Sequence, residues 1–407
     1  MILKYTKENI RMNKRKRIIL LHHVKAQGGG TKSLIDIAYM LKKDFDVLLC
    51  LPKGSYETVK FASKYNISCH EMQCQIPALN VFSGGPKVLS KNFISGIIPF
   101  IGINKFVKEL LDLEPDVVVF NSIVTSIIAS RIPGDIKKIC FIRETFIHSP
   151  FNTLYRYVFE NYIDGVAYIA NHEKIFFKIK KPKQIIIPDT LEPSTIKYYE
   201  DDDLNKNEYN KSCFKILYMG GSAFLKGFDV VLNAMTYLNS NFKLMIVGYV
   251  KKEMFTIRNI IKHFYNIEYT HYLLKTRKLI KQLEGNANIQ FLGYQDDISK
   301  LMCTCDVVVF PSNKPHQPRP CIEAGMYKKT VILSDFEATK EFFINNYNAL
   351  TFIPGSGKDL ANKIIFLQSH SDIKKQLELN NYKMSMEEHN FELIQEKTLS
   401  FITSIVL

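Results

Sequence analysis

Short runs of β-branched and aliphatic residues, unbroken by polar side chains, constrain this chain more than any other feature. DVVVFPS (306–312) and EPDVVVFNS (114–122) are two of them. A strand with one wet face alternates apolar and polar residues. A run that is apolar at every position has to be buried on both faces, as parallel strands flanked by helices are. KRIILLHHV (16–24), FDVLLCLP (45–52), KKICFIRET (137–145), DGVAYIAN (164–171) and KQIIIPDT (183–190) read the same way, with helical LIDIAYMLKK and INKFVKELLDL between some of them. A polar, aperiodic stretch, STIKYYEDDDLNKNEYNKS (194–212), then interrupts the order. The pattern restarts with CFKILYMGGS (213–222), FKLMIVGYV (242–250), ANIQFLGYQ (287–295), DVVVFPS, TVILSD and NALTFIP (348–354). Strands alternating with helices predict α/β domains with doubly wound parallel sheets. The expected organisation is a first domain over 1–193, an exposed linker over 194–212 and a second domain over 213–385. The two sheets would face one another across a cleft. A helical segment over 386–407 is free to lie back across the first domain.

Composition narrows the class. The chain has 407 residues, 46% hydrophobic and 23% charged, values expected of a soluble protein. Its eight cysteines (50, 69, 74, 140, 213, 303, 305, 321) show no CxxC or Cys/His metal spacing. Several lie in apolar runs, which predicts free thiols in a reducing cytoplasm. The start, MILKYTKENIRMNKRKR, has no apolar signal-peptide core, and FISGIIPFIGI (93–103) is too short to span a bilayer. Net charge is +14, with most of the excess in residues 1–195. That balance fits a polyanionic partner or merely a lysine-rich solvated surface. Nucleic acid is set aside for want of an aromatic–basic motif.

Four segments carry candidate chemistry. In HHVKAQGGGTKS, Gly28, Gly29 and Gly30 follow the first strand and open a helix. Backbone N–H groups there suit a phosphate, and a tight turn explains the glycines equally well. In YMGGSAFLKGFDVVLNAM (218–235), Gly220, Gly221 and Ser222 end a strand, and Lys226 stands at the next helix start, as a pyrophosphate contact or one more surface lysine. In PHQPRPCIEAGMYKKTVILSD (315–335), Pro320 suits the first turn of a helix and Glu323 is read into that same turn. Glu323 there either complements the helix dipole or binds a vicinal diol through two acceptor oxygens. Arg319 and His316 are polar groups beside it. In FIRETF (141–146), Arg143 and Glu144 form a salt bridge or face a ligand, with His148 nearby.

The order of these segments resembles the retaining nucleotide-sugar glycosyltransferases of family 4, of the two-Rossmann GT-B architecture. GGGTKSLIDIA is similar to the family's first glycine loop, and YMGGSAFLKGFDVVLNAM to its donor-phosphate segment. IQFLGYQDDISKLMCTCDVVVFPS and RPCIEAGMYKKTVILSDFEATKEFFINNYNAL resemble the donor motif with its surroundings. By that resemblance Glu323 binds the donor ribose, Lys226 the diphosphate, and the Gly28–Gly30 backbone meets the phosphates. Ser222, Arg319 and Pro320 join the donor site, and Lys226, Arg143, Glu144 and His316 stand at the reacting centre. Three positions depart from the pattern. Pro315 stands where the family's first donor-motif glutamate falls, Gly221 replaces a common arginine, and Arg143 replaces a common histidine.

The implied reaction is sugar transfer from a nucleoside-diphosphate sugar to a glycan or lipid-linked glycan hydroxyl, retaining anomeric configuration. No metal and no further cofactor is expected, because no DxD dyad appears where a metal-dependent transferase would need one and EDDD (200–203) lies in the linker. The implied setting is cell-surface polysaccharide assembly, in the cytoplasm at the inner face of the membrane, with the basic first half on anionic lipid. Competing readings are a nucleotide-sugar epimerase of the same fold and a catalytically inactive sugar-nucleotide or membrane-binding module.

Overall fold

The computed structural model describes residues 15–25, 28–82, 91–146, 149–199, 213–248, 250, 252–261, 263, 266–295 and 297–407. They form two units, Met1–Asp189 with Glu392–Leu407, and Thr190–Phe391. Each is built on a parallel sheet.

The first sheet holds seven strands: β1 (Arg17–Leu21), β2 (Asp46–Pro52), β3 (Ser68–Met72), β4 (Val117–Phe120), β5 (Lys137–Ile142), β6 (Gly165–Tyr168) and β7 (Lys183–Ile186). Their order is β3-β2-β1-β4-β5-β6-β7. The second holds β8 (Phe214–Met219), β9 (Phe242–Val247), β10 (Ile289–Gly293), β11 (Val307–Phe310), β12 (Thr330–Ser334) and β13 (Leu350–Phe352), in the order β10-β9-β8-β11-β12-β13. Both sheets are doubly wound, with switch points between β1 and β4 and between β8 and β11. At a switch point the two connecting helices leave to opposite faces, opening a crevice beyond the strands' carboxyl ends.

The apolar runs do what their composition requires. Val117–Phe120 and Val307–Val309 are wholly buried, and each sheet anchors its own core. The sequence reading passed over β3. SCHEM has no apolar run, sits at a sheet edge and is largely half-exposed, so nothing in its pattern marks it. The stretch FISGIIPFIGI folds as a helix over Lys91–Ile97 and a 3-10 turn over Ile98–Gly102. Among the described residues no helix is long and apolar enough to cross a membrane.

The final helix, Phe391–Val406, packs almost wholly with the first unit. It lies on β6 so closely that a Cβ on Gly165 would stand 2.2 Å from Ile405 Cδ1 and 3.0 Å from Phe401 Cζ. Of the interdomain linker expected at 194–212, residues 194–199 belong to the second unit and 200–212 lie outside the described residues.

The turn after β8 needs its glycine at position 227. Gly227 has φ +71°, and a Cβ there would stand 1.6 Å from the Pro311 carbonyl oxygen. Gly227→Ala is expected to cost at least about 2 kcal/mol and to lower the second unit's melting transition by roughly 4–8 °C. Gly285, at φ +76° with nothing within 4 Å, is the control for backbone strain alone. Calorimetric scans giving equal losses for Gly227→Ala and Gly285→Ala would remove any role for the Pro311 contact.

Candidate functional site

In the first unit the residues beyond the ends of β1, β4 and β5 form one hydrogen-bonded net. The helix Gly29–Leu41 starts with Gly28 as N-cap, with no side-chain cap and no acidic residue in its first turn. Gly28 is extended (φ −167°), so it is not there for a left-handed backbone. A Cβ on Gly28 or Gly30 would meet nothing within 4 Å. These glycines keep space open on an exposed turn.

Asn121, just past β4, holds that turn. Its Nδ2 donates to the Gly30 carbonyl (3.1 Å) and faces His22 Nδ1 (3.2 Å). An amide nitrogen can only donate, so His22 Nδ1 accepts and its proton rests on Nε2, 3.1 Å from Thr31 Oγ1. Burial, with the neighbouring His23 and Arg143, pushes His22 down to about 3, and burial brings His23 to about 4. Both imidazoles are neutral at pH 7.

The Arg143 guanidinium and the Glu144 carboxylate do not pair with one another. Arg143 Nε donates to Asn121 Oδ1 (2.9 Å) and Nη1 to Asp189 Oδ1 (2.6 Å). Glu144 instead accepts from Ser122 Oγ and from the backbone N–H of Ile123 (3.2 Å) and of Arg143 (3.2 Å). Burial raises its carboxyl above the usual range, against the pull of those bonds. Glu144 thus caps the 3-10 turn Ile123–Arg131, and its acceptor capacity is spent inside the fold. His148 lies outside the described residues.

In the second unit the turn after β8 is pressed against its neighbours. Gly221 has φ +52°, and a Cβ on Gly248 would come within 2.8 Å of the Gly221 nitrogen. A Cβ on Gly220 would strike Tyr218 Oη at 2.2 Å. So the glycine that stands in place of an arginine at 221 occupies a left-handed position that favours glycine. Ser222 is buried, and its carbonyl accepts from Tyr272 Oη (2.7 Å). Lys226 ends the 3-10 turn Phe224–Lys226, with Gly227 as N-cap of the helix Phe228–Met235. That helix already carries Asp229 in its first turn, bonded to Lys275 Nζ (2.9 Å) and Asn313 Nδ2 (2.8 Å). The positive group on offer is the lysine, not the helix end.

Lys226 Nζ lies 4.9 Å from the centroid of the Phe310 ring, and the His316 ring stacks on the same phenylalanine at 6.0 Å. No carboxylate lies within ion-pair distance of Lys226 among the described residues. Burial lowers its ammonium from 10.5 to about 8, with Cys321 and Glu323 pulling weakly the other way.

The helix Arg319–Met326 begins one residue before Pro320, so Glu323 is its fifth residue and lies beyond the first turn. The dipole reading for Glu323 fails on that geometry. Arg319, one turn earlier, donates from Nε to Glu323 Oε1 (3.0 Å), and both side chains are buried. The arginine read as a ligand donor is committed to orienting the carboxylate, whose Oε2 remains. Pro315 is half-exposed in the loop before the helix. Asn121, Asp189 and His22 went unnoticed in sequence, since no local pattern links residues from strand ends a hundred positions apart.

Residues 200–384, which hold every second-unit group just described, match the family described as Glycosyl transferases group 1. The chain is 25% identical to an uncharacterized glycosyltransferase of Methanocaldococcus jannaschii over 185 residues, 44% of either protein. It is 27% identical to the N,N'-diacetylbacillosaminyl-diphospho-undecaprenol alpha-1,3-N-acetylgalactosaminyltransferase of Campylobacter jejuni over 118 residues, 29% of this chain and 31% of that one. Both alignments span less than half of the relative's length. In structure the chain is similar to Anabaena HepE in complex with UDP and glucose, with a TM-score of 0.72 at 17% identity over 95% of this chain and 99% of that one. This last likeness is one of fold, two Rossmann-like domains of the GT-B type.

A lysine whose pKa is lowered by folding costs stability while it is charged. The cost is complete below about pH 8, shrinks as pH rises, and is gone above 10.5, where the unfolded chain is neutral too. Lys226→Met is therefore expected to raise the ligand-free melting temperature at pH 7, with the gain fading between pH 8 and 10.5. A melting difference that stays constant from pH 6 to 10 would show that Lys226 is well solvated.

Proposed function

We propose that this chain is a glycosyltransferase that moves a sugar from a nucleoside-diphosphate sugar to a hydroxyl of a glycan or lipid-linked glycan, in cell-surface polysaccharide assembly. One observation carries the reading. Lys226 and Glu323, an ammonium without a counter-ion among the described residues and an oriented carboxylate, stand beyond β8 and β11 at a switch point, within the segment that matches the group 1 family. The ammonium suits the diphosphate. Glu323 Oε2 suits a ribose hydroxyl, with Oε1 fixed by Arg319. The Campylobacter relative is named for transfer to a diphospho-undecaprenol-linked sugar, and the Anabaena structure holds UDP and glucose.

In the reaction the bond between the anomeric carbon and the phosphate oxygen breaks and a bond to the acceptor oxygen forms. The acceptor's proton ends on the departing diphosphate, and nothing is oxidised or reduced. The developing negative charge is met by Lys226, in surroundings poor in water where a charge acts strongly. We assign retention of configuration to attack on the face the diphosphate leaves, where the diphosphate takes the acceptor's proton, because Glu144, engaged by Ser122 and Ile123, has little capacity left as the general base that inversion needs. Turnover without a bound cation is part of the same reading.

The test is release of nucleoside diphosphate from UDP-, GDP- and dTDP-sugars, with and without a polyprenyl-diphosphate sugar, in EDTA. Release that an acceptor stimulates, with the sugar found on it in unchanged anomeric configuration, is the expected result. Release of free epimerised sugar without acceptor would assign the epimerase reading, and no release or binding the inactive module. Glu323→Gln is expected to weaken donor binding by about 1.5–3 kcal/mol. Unchanged affinity in calorimetry would leave Glu323 only its pairing with Arg319.

The membrane part of the reading rests on a patch of isoleucines. Ile94, Ile97, Ile98 and Ile101 are 49%, 40%, 54% and 89% exposed. Phe93 beside them packs on Phe151, which follows the carboxyl end of β5, and Lys105 and Lys108 are exposed on the next helix. Lys42–Lys43 and Arg15–Arg17 lie instead at the amino ends of β1 and β2, with Lys42 held by Tyr65 O and over the Tyr39 ring. They do not share the isoleucine face. Residues 12–14 and Lys87 lie outside the described residues, as does the side chain of Lys91. Vesicle binding is thus assigned to the isoleucines with Lys105 and Lys108, each lysine adding about 1 kcal/mol on anionic lipid. Sedimentation is expected to need anionic lipid and to fall with Ile98→Asp/Ile101→Asp. Binding that survives this pair of changes would move the contact elsewhere.

A further inference from the structure

We propose that Asp189 is a positioning residue, pinning the glycine turn and Arg143 to the point where the chain leaves the first unit. The inference rests on the transferase reading for its catalytic meaning and on geometry for the pin itself. One oxygen, Asp189 Oδ1, accepts from Ser33 Oγ and from Arg143 Nη1, each at 2.6 Å. Ser33 is the fifth residue of the Gly29–Leu41 helix, one turn on from Gly29, and its hydroxyl also lies 3.0 Å from the Gly29 carbonyl. A hydroxyl has one proton, and the charged, closer acceptor takes it. Asp189 thereby draws Ser33 away from bonding back onto the glycine turn.

The second arm fixes Arg143. With Nη1 on Asp189 and Nε on Asn121, the guanidinium plane is set, and its Nη2 is the nitrogen left over. Asn121 closes the loop by holding Gly30. Ser33, Asp189, Arg143, Asn121 and Gly30 make one frame in which the turn and the guanidinium cannot shift independently. Asp189 is also the last residue before the chain passes into the second unit. On the far side Thr190 Oγ1 bonds the His389 carbonyl, close to where the chain returns at Phe391–Glu392. A surface ion pair would do none of this. Asp189 is 8% exposed and sits on the crossing itself.

Two readouts separate positioning from plain stability. Asp189→Asn keeps the shape and one acceptor but loses the charge. Amide hydrogen exchange in this variant is expected to quicken both at 29–33 and at 187–192, with the global melting temperature little changed. Exchange at 29–33 that matches the wild type would overturn the pin. In transfer assays kcat is expected to fall about tenfold or more with donor KM nearly constant, because misplacement by a fraction of an ångström is felt in the transition state. Ser33→Ala is expected to add less than about twofold in the Asp189→Asn background, having acted through the same oxygen. Full additivity of the two, or a loss confined to KM, would overturn the positioning role. A wild-type protein inactive with every nucleotide sugar would sink the transferase reading, while the exchange result would still decide the pin.

Discussion

A parallel strand buried on both faces has no place for a polar side chain along its length. Val117–Phe120 and Val307–Phe310 show the extreme form, with every residue out of water. Polar chemistry in such a sheet is confined to strand ends, and the carboxyl ends at a switch point offer the only crevice that the winding itself opens. The candidate groups of each unit obey this rule. Gly28–Gly30 and Asn121 follow β1 and β4, while Gly220–Lys226 and Pro311–Glu323 follow β8 and β11.

The two units use that position in opposite electrostatic styles. In the first, charge is balanced within the protein, since Arg143 meets Asp189 and the histidines are neutral. What it leaves is a glycine turn held to shape by Asn121. In the second, a cation is kept over an aromatic face in surroundings that already strain its charge. An ammonium lowered to about 8 gains on meeting an anion, since the anion restores the solvation that burial removed.

Much of this was legible in the residues. Continuous apolar runs announced buried parallel strands, and glycine pairs and triples announced the turns beyond them. The failures have physical causes. The pattern of β3 is that of an edge, where one side needs no burial. Glu323 reads into the first turn because Pro320 suits either of the first two helical positions, and only the backbone shows that Arg319 precedes it in the helix and moves Glu323 one residue further in. The Arg143–Glu144 pairing was an inference from adjacency. On a strand end adjacent side chains point to opposite sides, so their partners come from elsewhere. Asp189 lies 156 positions from Ser33, and only folding brings them together.

The first unit is discontinuous, and this bears on how the protein is made. Gly165 leaves a groove on β6 that Phe401 and Ile405 fill. On a ribosome the seven strands are all synthesised long before those residues emerge, with the whole second unit in between. Until then the strand face at Gly165 lacks the side chains that cover it, and a nascent first unit is an unfinished one. The second unit, one continuous segment, has no such delay. Assembly therefore runs against the order of translation: the part begun first is the part completed last.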